Sequence, residues 1–397
     1  MVIAAGLVSP AVLTRPLLAC YAMTAAIHVA TAMLSTLLPF HLVDLGGSRT
    51  QIGLLFSVMT IVSMVLRPAI GGWVDRLGTR PVIVPGIAVL ATMALALQIT
   101  TTPQAVIAVM IGGGLANALI SMTASVTAAR ATDDAHRGEA LSMYYLHTSL
   151  SIAIGPPLAL WLRGHGGMSV GFAMISVLAA AMLALVFSFP PGTTGPAAPP
   201  AAHFRPISRH AIPLSCALVL TTIGHMSMYA FLPLYALSRG HDESIVWWFF
   251  TVYSIWLIVC RAVLGRLADR YGRARVALPS MVTLAVGYFS LALPPTAVSL
   301  LAAALIMGTA NAVLYPTLAA LVLDRAPAAE RGLALGTLSA SWDLGVVVGS
   351  AIVGYVADHL SFGAGFAVGG IAAMLGATTF VFVERGPRKW TSYRQRS

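Results

Sequence analysis

The sequence predicts an all-α membrane protein, with twelve transmembrane helices arranged as two parallel six-helix repeats. Three observations carry this. The chain is 58% hydrophobic and 9% charged, with a mean hydropathy of +0.86, whereas about a quarter of a soluble domain's residues are charged. Twelve apolar runs approach the roughly 20 residues needed to cross the hydrocarbon of a bilayer. The stretch GGWVDRLGTRPV at 71–82 returns as GRLADRYGRARV at 265–276, an offset of 194 residues.

The offset holds without a gap over most of the chain. Pro39 matches Pro233, Gly46 matches Gly240, Arg67 matches Arg261, Gly114 matches Gly308, Asn117 matches Asn311, Arg137 matches Arg331 and Gly155 matches Gly349. Self-similarity at a fixed period identifies a duplicated architecture before any local signal does. The spans of the first half fall at 17–43, 50–72, 81–100, 104–128, 139–162 and 168–189. Those of the second fall at 211–237, 244–267, 276–294, 297–323, 331–357 and 361–383. The first run follows Arg15 but is too long for a signal-peptide core, so it reads as a retained helix. Residues 190–210, rich in Pro, Ala and Gly, read as a linker between halves 1–189 and 211–397, the second ending in a basic tail.

The net charge of +10 does not imply a nucleic-acid partner. With both termini placed in the cytoplasm, 20 of the 23 basic residues fall on the cytoplasmic side and only Arg49, Arg163 and Arg239 lie outside. That is the positive-inside bias of a multi-pass protein. An even number of spans per half makes the repeats parallel, with a cleft expected near the bilayer midplane. The outer loops are too short for an enzymatic or receptor domain, so no catalytic residues and no cofactor are expected. A membrane sensor or enzyme on the same fold is a remote alternative. Cys20, Cys216 and Cys260 lie in apolar stretches without metal-ligand spacing and read as packing residues.

Both copies of the repeated turn resemble the signature of the major facilitator superfamily. The first copy is Gly71, Asp75, Arg76, Gly78 and Arg80; the second is Gly265, Asp269, Arg270, Gly272 and Arg273. The resemblance implies a twelve-span transporter, similar to the drug and metabolite proton antiporters of bacteria, in the cytoplasmic membrane. Its partners would be a small-molecule substrate, protons and the lipid bilayer, and a monomer suffices. In such a turn glycine permits the sharp reversal, and Asp75 can meet a helix N-terminus or an arginine to close a cytoplasmic gate. Alternatively, the arginines serve only orientation. Gly155 and Pro156 in the fifth span partly match a glycine-rich antiporter motif and predict a helix bend, with simple packing as the alternative. The fourth span lacks the arginine that many such antiporters carry there.

Ionisable and polar residues inside spans mark the candidate site. Asp343 lies 12 residues into the eleventh span, about 18 Å deep. A charged carboxylate there costs about 3 kcal/mol or more, so Asp343 is either a proton-coupling group or a permanently neutral hydrogen-bonding one. His225 in the seventh span and His28 in the first are candidate proton or substrate groups. Their alternatives are neutral hydrogen-bonding residues or ligands to a transported metal complex. Asn117 and Asn311 either bond between helices or touch substrate. His147, Tyr144, Tyr229, Tyr253, Trp256, Tyr315 and Trp342 would give the cleft aromatic, adaptable walls. The chemistry is expected where the repeat fails, since Asp343 matches Ser149 and His225 matches Thr31. The expected activity is proton-coupled efflux of a drug, sugar or metallophore, with proton-symport uptake as the alternative.

Overall fold

A computed structural model describes residues 15–130, 137–187, 207–327 and 330–385. Within those helices, the side chains at 15–17, 19–20, 68, 71, 75, 125, 128–130, 137–149 and 265–269 are outside the described set.

Thirteen helices and no strand occur among the described residues. The first repeat contributes α1 (Arg15–Asp44), α2 (Arg49–Leu77), α3 (Thr79–Gln98), α4 (Pro103–Arg130) and α5 (Arg137–Val186). The second contributes α6 (Ile212–Thr222), α7 (His225–Ala230), α8 (Leu232–Ser238), α9 (Glu243–Tyr271) and α10 (Arg273–Ala292). It continues with α11 (Ala297–Arg325), α12 (Arg331–His359) and α13 (Phe362–Arg385).

Two elements depart from one helix per span. The fifth and sixth spans join in α5, whose one interior residue with non-helical dihedrals is Gly167, at φ 75° and ψ −176°. That glycine is the turn between two crossings. The seventh span, expected as a single helix over 211–237, is instead divided into α6, α7 and α8. Pro233 near the start of α8 has no N–H to give the preceding turn. Its match, Pro39, lies inside an unbroken α1, so proline alone does not divide the span. A residue that does differ is Gly224, where α1 has Ala30. The ring of Tyr288 from α10 fills the space a Cβ at 224 would need, about 2.6–2.8 Å away. The Ile223 N–H bonds the Leu220 carbonyl, tightening the turn before the break.

The repeat is visible in the backbone. Gly78, between α2 and α3, has φ 85°, and Gly272, between α9 and α10, has φ 96°. Both lie in the region that favours glycine, which explains why the tight turn recurs with the same residue. Capping boxes start α2 at Ser48–Gln51 and α11 at Thr296–Ser299.

The chain forms two compact units. One is Met1–Ala202 with Gly240–Ser254, and the other is His203–Arg239 with Ile255–Ser397. The start of α9 therefore belongs with the first unit, although it lies in the second sequence repeat. In that first unit Arg163 donates to Glu243 at 2.8 Å, and its guanidinium lies 4.2 Å above the Phe40 ring.

Candidate coupling and substrate site

In the second unit, the break in the seventh span positions the principal cluster. His225 is the first residue of α7 and is partly buried. Its ring lies 5.5 Å from that of Tyr229, one turn on, and 4.8 Å from that of Trp342 in α12, edge-on at 69°. Trp342 in turn meets Tyr315 of α11 at 5.5 Å and 88°. Tyr229, His225, Trp342 and Tyr315 thus form a chain of rings contributed by three spans. Edge-to-face pairs of this kind are worth about 0.5–1.5 kcal/mol beyond their buried area, and such rings form an amphipathic wall.

Asp343 is buried near the middle of α12, at 9% exposure. It directly follows Trp342, and at about 100° per residue its side chain leaves the helix on a different side from the ring that meets His225. The Gly345–Gly349 stripe of α12 packs on α6, where Cβ atoms would collide with Thr222 and with the Ile223 carbonyl. Asp343 is offset from that stripe as well. The two coupling candidates are therefore linked through adjacent residues of one helix.

The asparagines behave differently in the two units. Asn117 of α4 donates to Ser63 of α2 at 3.2 Å, and one turn earlier Gly114 presses against Met59 and Val62. Asn117 therefore bonds between helices. Asn311 instead donates to the Met307 carbonyl of its own helix at 3.1 Å. The cause is in the sequence, since Leu257 stands where Ser63 would be. Trp256 of α9 is partly exposed and donates to Thr309 of α11 at 2.8 Å, linking the corresponding helices another way.

In the first unit, the Nδ1 of His28 lies 2.7 Å from the Thr24 carbonyl. A carbonyl can only accept, so Nδ1 carries a proton and donates it to Thr24. Tyr253 is buried and stacks on Phe249, 6.4 Å away. Gly155 is a close-contact residue, since a Cβ there would stand 3.2 Å from the Val29 carbonyl oxygen of α1. The backbone keeps helical dihedrals through Gly155 and Pro156, where Gly155 also serves as a packing contact. The side chains of Tyr144 and His147 lie outside the described set.

Around the repeated turn, Gly71, Asp75, Gly265 and Asp269 lie outside the described set. Arg76 and Arg270 are exposed, the latter 5.6 Å from the Tyr271 ring. Arg80 donates to the Phe187 carbonyl at 2.9 Å. Arg273 donates to the Ala320 carbonyl at 2.9 Å and pairs with Asp324. These bonds tie helices within each unit. No group of three or more His, Cys, Asp or Glu able to hold a metal ion occurs among the described residues.

Sequence reasoning missed a second repeated motif. Trp161 and His165 in α5 have their rings 4.7 Å apart, and Tyr355 and His359 in α12, at the same 194-residue offset, have theirs 4.1 Å apart. Both imidazoles bond the carbonyl four residues back. Comparing the halves for chemically similar pairs, beyond identities, would have found it.

An all-helical bundle with membrane-length helices, duplicated turns and a mid-span polar cluster defines a membrane transporter of the major facilitator kind. The Major Facilitator Superfamily model matches residues 20–249 and again 214–397, and the chain belongs to that family. It is 24% identical over 365 residues to the staphylopine export protein of Staphylococcus aureus, covering 87% of this chain and 90% of that one. It is 27% identical over 348 residues to an MFS-type transporter of Salmonella typhimurium, covering 85% and 87%. Its fold is shared with the nucleoside transporter NupG, at a TM-score of 0.74 and 17% identity over 93% of this chain and 99% of that one. It is shared too with a D-xylose–proton symporter, at 0.73 and 15% over 92% and 96%. The protein is a multi-pass membrane transporter of a small molecule.

Proposed function

We propose that this transporter exports a small amphiphilic organic molecule, with a metallophore, a drug or a sugar as the candidate classes, by alternating access driven by proton entry. The observation that carries the reading is the ring chain Tyr229–His225–Trp342–Tyr315 beside the buried Asp343. A wall of rings suits an amphiphile with few formal charges, and a mid-span carboxyl can exchange between neutral and charged forms. The similarity to a staphylopine exporter favours efflux and a metallophore-like cargo. Halves 1–189 and 211–397 act as the moving bodies, Asp75 and Asp269 serve the cytoplasmic gate, and the chain works as a monomer without enzymatic activity. It resides in a bacterial cytoplasmic membrane with both termini inside.

The test is transport by purified protein in sealed vesicles of known orientation, using staphylopine, a fluorescent hydrophobic amine and a neutral sugar as probes. Accumulation in inside-out vesicles with an acidic lumen supports efflux. Accumulation only in right-side-out vesicles under external acid establishes symport uptake, the second reading, which the shared fold with a xylose–proton symporter keeps in view.

A further inference from the structure

A groove of about 290 Å³ opens in the second unit between α9, α10 and α11. Val276, Pro279 and Val313 form its apolar walls, Thr309 lies at one end, and Tyr271 and Arg275 lie at the other. Its volume is just below the roughly 300–1,000 Å³ of pockets for drug-sized ligands, and it suits a slender apolar chain better than a cargo molecule.

The matching described positions of the first repeat are packed together. The positions matching Leu264, Val276 and Val313 are Ile70, Val82 and Leu119, which belong there to one packed hydrophobic cluster, with Leu115 against it. In the second repeat Leu115 becomes Thr309 and Leu119 becomes Val313, so bulk is lost on α11. The helix spacing changes too. A Cβ at Gly86 would stand 2.8 Å from Leu119, yet the matching position of α10 accommodates Ser280. Duplication has thus left a filled seam in one unit and an open one in the other.

The surroundings identify the occupant. Val263 of α9 and Val282 and Val286 of α10 are exposed near the groove, as side chains facing lipid are. Tyr271 and Arg275 are exposed at the mouth, and Arg275 has no ion-pair partner among the described residues. An apolar slot ending in an exposed guanidinium and a tyrosine complements an acyl chain attached to an anionic headgroup. We propose that the groove is a binding site for an anionic phospholipid, with one acyl chain along Val276, Pro279 and Val313 and the phosphate on Arg275. Positive-inside orientation puts this lipid in the cytoplasmic leaflet.

Native mass spectrometry of the full-length protein in detergent, with added phosphatidylglycerol or phosphatidylcholine, tests this independently of the transported substrate. Phosphatidylglycerol should be retained in preference, and Arg275→Ala should lower its retention about fivefold, the effect of one basic residue near an anionic surface. Thr309→Leu, which restores the first repeat's residue, should lower retention of both lipids, as should Val313→Leu if the first variant fails to fold. Arg209→Ala, an exposed arginine elsewhere, should change nothing. Undiminished retention in the groove-filling variants, equal loss in Arg209→Ala, or displacement of the lipid by glycerol 3-phosphate alone would overturn the proposal.

Discussion

The backbone of Gly349 lies against the carbonyl of Ile223, leaving no room between them for a methyl group. The matching position 194 residues earlier, Gly155, is also close-packed, since a Cβ there would stand 2.5 Å from that of Ala32 and 3.2 Å from the carbonyl of Val29. In each repeat the fifth helix approaches the first at a glycine, the small-residue contact on which helix association in membranes depends.

Gly349→Ala should therefore destabilise the protein by about 1–3 kcal/mol through overpacking, and Gly155→Ala should do the same. Thermal unfolding in detergent reads both. Gly332→Ala, at a position of α12 where a Cβ would meet nothing within 4 Å, should be neutral or gain up to about 1 kcal/mol from helix propensity.

The asparagines should separate in the same assay. Asn117→Leu removes an interhelical bond to Ser63 and should cost about 0.6 kcal/mol, at most about 1.7. Asn311→Leu removes only a bond within its own helix and should leave the melting temperature nearly unchanged. A larger loss at Asn311 would show that it has a structural role beyond that bond.

Asp343→Asn keeps the shape and removes the titration. Accumulation driven by a pH gradient should collapse in reconstituted vesicles, while exchange of labelled for unlabelled substrate without a gradient continues. Unchanged accumulation ratios would make Asp343 a permanently neutral hydrogen-bonding residue.

Trp342→Ala cuts the ring chain between His225 and Tyr315. Loss of two edge-to-face contacts, each about 0.5–1.5 kcal/mol, should raise the apparent KM by about an order of magnitude, and Trp342→Phe should recover most of it. A fall in the maximal rate at constant KM would shift the role of Trp342 from substrate binding to conformational change.

Arg163 and Glu243 each keep about a quarter of their side chain exposed, at 25%, so their ion pair should contribute little, about 0.2–1 kcal/mol. Neutralising either residue should change transport rate more than melting temperature. The charge-reversed pair, Arg163→Glu with Glu243→Arg, should restore the rate if the interaction is electrostatic. Failure of the reversed pair would point to the Arg163 stack on Phe40 as the working contact.

The class of fold, the duplication and the turns were legible in the sequence. Their causes are local: apolar runs set by the thickness of hydrocarbon, and glycines where the chain must reverse sharply. Asp343, His225 and the asparagines could be selected because a polar group in an apolar run is costly wherever the helix lies. What those groups meet was not legible. The linear pattern gave Asn117 and Asn311 equal status, and only the partner across the helix crossing, Ser63 in one case and Leu257 in the other, distinguishes them.

The sequence by itself determined how many times the chain crosses the membrane and which residues are out of place there, because hydropathy and backbone preference act on neighbours along the chain. Tertiary structure decided the rest. It divided the seventh span at Gly224 against Tyr288, assembled the rings around His225 and assigned Gly155 to a helix contact. It also left open in the second unit a seam that is filled in the first. Each of these depends on which side chains from distant segments compete for the same volume, and the order of residues along one helix does not state that.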